Sequence, residues 1–291
     1  MKLIFIACFA LLSSLNAQSQ LINDSLLIDG HYRVFHFSKP QSSKTDGSLV
    51  FVLHGSGGTG EGMMTRAAKL EEQSHNENLM LVYPDGYKKY WNECRKASTA
   101  VANLENIDEN IFFDRMISYF SKNYSINTKQ VFAVGTSGGG HMAYKLALTM
   151  PQKFRAITAI IANLPDSSNM DCSEANIPIS VMIVNGTADP VNPYNGGNVV
   201  IPGVVLGNVR STENTFHYWS GLAGYKGESV KKLLADTDPA DGKTIERYTF
   251  STKGKPEVVL LKVIGGKHDY PNDIDVHLEA WDFFKRQFAN N

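Results

Sequence analysis

Residues 134–142 read V-G-T-S-G-G-G-H-M, straight after the apolar run Gln130-Val131-Phe132-Ala133. The run predicts a buried strand, and the pattern that opens at 141–149 predicts a helix. Four glycines packed around one serine between such elements have two readings. One is a flexible turn. The other is a serine held on a sharp, strained turn, its hydroxyl projecting into a cleft. That turn tolerates only minimal side chains two positions either side of the serine. The strand before and the helix after select the second reading. The first amides of the helix then face the cleft, where they suit a developing oxyanion. Ser137 is the candidate nucleophile, and the Gly138 N–H a candidate oxyanion donor.

The same alternation runs along the chain. Apolar runs at 48–54, 79–83, 130–134, 156–162, 178–184 and 257–264 predict strands covered on both faces, as in a parallel sheet. Helical spacing recurs at 107–122, 141–149 and 274–288. Before them, 25–28 and 32–37 flank Asp29-Gly30 and predict an antiparallel hairpin. No repeat, low-complexity tract or linker divides the chain. The expected fold is a single α/β domain with a mostly parallel central sheet, helices on both faces and an antiparallel N-terminal hairpin. Sites in such sheets form beyond the strand C-terminal ends.

Two further strand ends carry chemistry. The run 178–184 leads into N-G-T-A-D-P-V-N-P-Y (185–194), with Asp189 at the tip of a proline-bounded loop. An ordinary Asx turn is the bland alternative. The run 257–264 leads into G-G-K-H-D-Y-P-N (265–272), with His268 in the loop. His217 and His277 fall in helical stretches, and His31, His36 and His75 precede the serine. Ser137, Asp189, His268 is the nucleophile–acid–base order of α/β-hydrolases. In that arrangement His268 takes the serine proton and Asp189 orients the imidazole.

After 48–54 comes His54-Gly55-Ser56-Gly57-Gly58-Thr59-Gly60. A glycine-rich loop there predicts the second oxyanion amide, from Ser56 first and Gly57 next. The rival, a phosphate loop, lacks its Lys-Ser/Thr ending. No residue set has metal-ligand spacing, and no cofactor is expected.

The 291 residues carry a net charge of −1, with 43% hydrophobic residues, which gives no field to attract nucleic acid. Lys88-Lys89 and Lys231-Lys232 are isolated pairs. Met1-Lys2, the apolar run after it and Ala17 before Gln18 predict a signal peptide over 1–17 and a catalytic domain over 18–291. Its apolar core is too short for a membrane span, as is every later run. Cys8 lies inside that core, with too little sequence before it for a lipoprotein cysteine. Export leaves Cys94 and Cys172, and an oxidising compartment favours a disulfide between them over two separate thiols.

L-H-G-S-G-G, Y-P-D-G (83–86), Y-W-N-E-C (90–94), G-T-S-G-G-G-H-M-A-Y, N-G-T-A-D-P-V-N-P-Y-N-G-G (185–197) and G-G-K-H-D-Y-P resemble the secreted polyhydroxybutyrate depolymerase and feruloyl esterase group of α/β-hydrolases. The resemblance spans nearly the whole mature chain. It implies a secreted (extracellular or periplasmic) serine esterase that removes feruloyl or acetyl groups from plant cell-wall polysaccharide. Hydrolysis of hydroxyalkanoate oligomers is the second expectation, and a non-catalytic carbohydrate-binding relative the third. Ser137, Asp189 and His268 fall on the triad positions, and Trp91 on an aromatic pocket position. Tyr270 stands where the group commonly has tryptophan, and is expected to touch substrate; Asn185 stands where histidine is common. Small-molecule or oligosaccharide esters are the expected partners, and the oligomeric state is left open. Tyr218, Trp219 and Tyr225 are either a sugar-stacking wall or plain helix packing.

Overall fold

Asp29 and Gly30 both take positive φ, 47° and 82°, the conformation of a two-residue hairpin turn whose twist matches its strands. They join β1 (Leu21–Ile28) to β2 (His31–Ser38), paired antiparallel as the sequence predicts. The computed structural model describes residues 21–38 and 46–288. The leader expected at 1–17 lies outside them.

From there strands and helices alternate. In order come β3 (Gly47–Leu53), α1 (Gly60–Arg66), α2 (Ala68–Ser74), β4 (Leu79–Pro84), α3 (Val101–Leu104) and α4 (Glu109–Tyr124). Next are β5 (Ile126–Thr136), α5 (Gly138–Thr149), β6 (Ala156–Ile160) and β7 (Ser180–Gly186). The chain continues through β8 (Gly197–Ile201), β9 (Val204–Val209), α6 (Thr212–Leu222), β10 (Val230–Leu233), β11 (Thr244–Phe250), β12 (Val258–Ile264) and α7 (Val276–Arg286).

The main sheet runs β1-β2-β4-β3-β5-β6-β7-β12-β11-β10. The six central strands, β4 to β12, are parallel, and an antiparallel pair closes each edge. This is the α/β-hydrolase fold. Every residue of β3, β4, β6 and β7 is buried, because both faces are covered.

Strand alternation then deals neighbouring residues to opposite layers. Leu49, Phe51, Leu53, Val131 and Ala133 face the layer of α4, α5 and α6. Val50, Val52, Phe132 and Val134 face that of α1, α2 and α7. Helix α4 meets the sheet through Phe112, Phe113, Met116 and Phe120, one face at helical spacing, and Asp108 caps it by accepting from the Ile111 amide.

The chain leaves β3 toward β4 on one side and returns to β5 on the other. That reversal opens a crevice at the C-terminal ends of β3 and β5. The glycine-rich loop 54–60 and Ser137 occupy it.

The region 195–255 builds a separate two-stranded sheet, β8–β9, and the antiparallel edge β10–β11. Its aromatics pack rather than form a wall: Trp219 is buried against Tyr144, and Tyr225 stacks on Phe250.

Candidate active site

Ser137 sits between β5 and α5 with φ 53° and ψ −116°, a conformation a side-chain-bearing residue adopts only under constraint. The constraint is visible. Its amide donates to the Ile160 carbonyl (2.8 Å) and its carbonyl accepts the His141 amide (3.0 Å). A Cβ on Gly135 would run into the Gly139 carbonyl, and one on Gly139 into the Leu53 carbonyl. The glycines thus allow strand, helix and neighbouring strand to close around a strained serine.

The loops after β7 and β12 are tied together. The Thr187 amide donates to the Val263 carbonyl, the Ala188 amide to Gly266, and Gly265 N–H to Thr187 Oγ1. This stitching brings Asp189 to His268. Asp189 Oδ2 lies 2.7 Å from His268 Nδ1, and its Oδ1 accepts the Val191 and Asn192 amides at 2.8 and 2.9 Å. His268 Nε2 lies 3.0 Å from Ser137 Oγ. The carboxylate is buried at 1% exposure, whereas the imidazole, at 22%, opens on the cleft. Such a chain of contacts lets an imidazole draw a proton from a hydroxyl while a carboxylate holds its tautomer.

The amides of Ser56 and of Gly138, the residue after the serine, belong to segments in close contact: a Cβ on Gly138 would stand 2.9 Å from Ser56 N. Neither donates to a protein acceptor among the described residues, so both are open to an oxyanion. Gly57 is a correction: its N–H is engaged by the Lys89 carbonyl at 2.9 Å and turns away from the serine.

His54 holds this loop. Its Nδ1 donates to the Gly55 carbonyl (2.7 Å), and its Nε2 accepts the Gly86 amide (2.8 Å). Burial lowers its pKa, which keeps the ring in the neutral form those bonds require. Asp85 Oδ1 takes the Gly60 amide at 2.6 Å and fixes the loop's far end. Both lie in motifs quoted above, L-H-G and Y-P-D-G, but the roles depend on contacts 25 to 32 residues apart in sequence.

Trp91 is a second correction. It is buried, its Nε1 donates to the His54 carbonyl (2.9 Å), and its ring packs on His54 at 4.9 Å. It packs behind the glycine-rich loop 54–60 and is not exposed to the cleft. Tyr270 is displaced too. Its hydroxyl contacts Thr136 Oγ1 (2.6 Å), and it borders a separate hollow with Arg66 and His277. Asn185 is a buried pin: its Oδ1 accepts the Ala162 amide, and its Nδ2 donates to Asn163 Oδ1 and Thr212 Oγ1.

Two hollows meet at Ser137. An open groove of about 500 Å³ runs along His54, Ser56, Thr59, Arg66, Lys89 and Ile161. A narrow hollow with room for about one water descends between Arg95, His141, Asn192, Val199, Ile201 and Leu206. The β8–β9 hairpin, absent from the sequence reading, supplies the apolar side of the second. The structure joins Cys94 to Cys172 (Cα–Cα 5.0 Å) beside Arg95. Among the described residues no cluster of histidine, cysteine and carboxylate groups has the makings of a metal site.

Residues 38–201 match the phospholipase/carboxylesterase family. The chain belongs to that family. Acetylxylan esterase A of Talaromyces purpureogenus is 26% identical over 70% of this chain and 57% of its own length. Feruloyl esterase D of Neurospora crassa is 26% identical over 72% of this chain and 63% of its own. The chain spans about half to two thirds of the length of the curated relatives it matches. The structure resembles acetyl xylan esterase from Aspergillus awamori with TM-score 0.63 at 17% identity, covering 91% of this chain and 99% of that one. That likeness speaks to the phospholipase/carboxylesterase fold alone.

Proposed function

We propose that the protein is a secreted serine carboxylic-ester hydrolase that removes short acyl groups, acetyl first, from plant cell-wall carbohydrate. The observation that carries the reading is the Ser137–His268–Asp189 chain of contacts, at 3.0 and 2.7 Å, beside two open amides. His268 takes the Ser137 proton as Oγ attacks the ester carbonyl, and the Ser56 and Gly138 amides stabilise the oxyanion. The proton then passes to the departing alcohol, and water repeats the sequence to release the acid.

The two hollows divide the substrate. The acyl group stays bound to Ser137 through both half-reactions, while the alcohol leaves and water enters. The closed hollow therefore suits the acyl group, and the open groove the alcohol. The hollow is far too narrow for a feruloyl group, which favours acetyl. The names of the fungal relatives, acetylxylan and feruloyl esterases, support a carbohydrate alcohol. The leader at 1–17 and the Cys94–Cys172 pair support export, and among the described residues no helix is long and apolar enough to cross a membrane.

Purified mature protein should release acetate from an aryl acetate and from acetylated xylan oligomers faster than ferulate from methyl ferulate. Ser137→Ala should lose on the order of 10³-fold or more in kcat. A variant that keeps its rate removes Ser137 from the chemistry. A wild type inert toward the aryl acetate leaves carbohydrate binding as the function.

A further inference from the structure

Lys88 and Lys89 take the two central positions of the turn between Tyr87 and Tyr90, which the Tyr90 amide closes on the Tyr87 carbonyl at 3.0 Å. Both have positive φ, 48° and 73°. Asparagine and glycine are the usual residues of such turns, and a lysine there is strained. The two side chains then part. Lys88 Nζ pairs with Glu105 at 2.7 Å and lies over the Tyr87 ring. Lys89 forms no ion pair among the described residues and lines the open groove beside Ser137. Its carbonyl accepts the Gly57 amide, which ties the strained turn to the glycine-rich loop and holds Lys89 at the groove.

Arg66 enters the same groove from α1, beside Gly62 and Met63. Its guanidinium neighbours the Tyr270 hydroxyl and His277, and it too forms no ion pair among the described residues. Both cations are exposed, and no carboxylate lines the groove. The acidic groups around it are engaged elsewhere. Asp85 holds the Gly60 amide and His36, Asp275 caps α7 through the His277 and Leu278 amides, and Asp189 holds His268. Asp269 pairs with Lys243. Glu61 stands on α1 outside the lining. The groove assigned to the alcohol is therefore positively charged.

A phosphate would call for free loop amides. Here the Gly57 amide goes to Lys89, Gly58 to Gly55, Gly60 to Asp85 and Gly62 to Thr59 Oγ1. What remains is two separate cations on long side chains, which suit a carboxylate carried along a chain.

We infer that Lys89 and Arg66 are specificity-determining residues that select an alcohol bearing a carboxylate, in the proposed setting a carbohydrate with uronic acid. The inference rests on the hydrolase reading above and deepens it on the alcohol side. Exposed charge acts on encounter as well as on binding, so the effect is read in kcat/KM.

The test uses three aryl acetates: 4-acetoxybenzoate, its neutral methyl ester and 4-acetoxyphenyltrimethylammonium. Each kcat/KM is divided by the ester's rate with imidazole, a neutral nucleophile, to remove intrinsic reactivity. At low ionic strength the anion should lead the methyl ester by roughly 3- to 30-fold, the reach of two exposed ion pairs, and the cation should trail it. Salt should shrink the lead. Lys89→Gln and Arg66→Gln should each lower the anion-to-cation ratio, and Lys89→Glu should lower it further. Lys88→Gln, on the same strained turn but paired with Glu105, should leave it unchanged, which separates charge from turn shape. Because the ratio is taken within one variant, loss of folded protein cancels. A wild-type ratio at or below one overturns the assignment, as does a ratio unchanged in both Lys89→Glu and Arg66→Gln. So does a Lys88→Gln effect equal to that of Lys89→Gln. Acetylated xylo-oligosaccharides with a glucuronic acid branch should lose acetate faster than unbranched ones, and equal or slower release removes the uronic acid. If no ester is cleaved, the hydrolase reading has failed, and titration still decides the groove. The acidic oligosaccharide should then bind wild type more tightly than the neutral one, and equal or absent binding of the two ends the proposal.

Discussion

The wall of the cleft that carries Ser137, Asp189 and His268 stands on the ends of three parallel strands, β5, β7 and β12. The wall facing it comes from the loop bearing Trp91 to Arg95 and from the β8–β9 hairpin. The first is fixed by backbone: a strained serine, glycines pressed against carbonyls, and loops bonded amide to carbonyl. The second has backbone bonds too, such as Thr99 N–H to the Val205 carbonyl and Asp171 N–H to that of Cys94, and adds side-chain bonds and a cross-link. Asn169 Nδ2 donates to the Leu206 and Asn208 carbonyls, Val205 N–H to Thr99 Oγ1, and Cys94 is joined to Cys172. On the proposed reading, the chemistry sits on the sheet ends and acyl selection on loops, the kind of element that carries specificity on a rigid scaffold.

The sharpest way to break this comparison is at the first wall. Asp189→Asn keeps an oxygen for the Val191 and Asn192 amides, so the loop should hold its shape while the imidazole loses its anionic partner. A fall on the order of 10³- to 10⁴-fold in kcat is expected, with KM little changed. Less than a tenfold fall in steady-state assays means that Asp189 only shapes its loop.

The second wall predicts the opposite division. Replacing Cys94 and Cys172 together by serine frees a cross-link spanning 78 residues and should cost roughly 3 kcal/mol in denaturant unfolding. Turnover of a simple aryl acetate at low temperature should change far less than in Asp189→Asn. A loss as large as in Asp189→Asn would show that the two walls are not separable.

How legible each wall was follows from the same difference. Gly-x-Ser-x-Gly, and an aspartate and a histidine at later strand ends, are visible in sequence because the turn geometry restricts residue type position by position. The buried Arg95 and Asn192 carry no local mark. An arginine after Cys94 or an asparagine before Pro193 looks like surface until the fold buries it. Trp91 was misplaced for a related reason. Its motif fixes its neighbourhood, but which way the ring faces depends on His54, 37 residues earlier. Gly57 was misjudged as a donor because the bond that engages its amide comes from Lys89, on another loop. The β8–β9 hairpin eluded the pattern because its strands alternate only partly and one face is exposed, with Val200 at 59% and Val205 at 58%.

The first wall also rests on a histidine that never reaches the cleft. His277, on α7, is 1% exposed and packs edge-on against Tyr270, whose hydroxyl contacts Thr136, the residue before Ser137. Burial lowers its pKa from 6.5 to about 4, against a weaker opposing pull from Asp275. Its folded-state value is depressed, so the unfolded chain binds the proton more tightly. The stability it contributes is complete above pH 6.5, begins to fall below that value and is lost as pH drops through about 4. At pH 5 the loss attributable to this one ring is about 2 kcal/mol. His54 and His141, whose pKa values burial also lowers, steepen the decline. Unfolding free energy measured from pH 8 to pH 4 should therefore drop with acid, and His277→Gln should flatten the curve by that amount. An unchanged slope in the variant would mean that His277 does not carry this acid sensitivity, and the support behind Thr136 would have to come from Tyr270 alone.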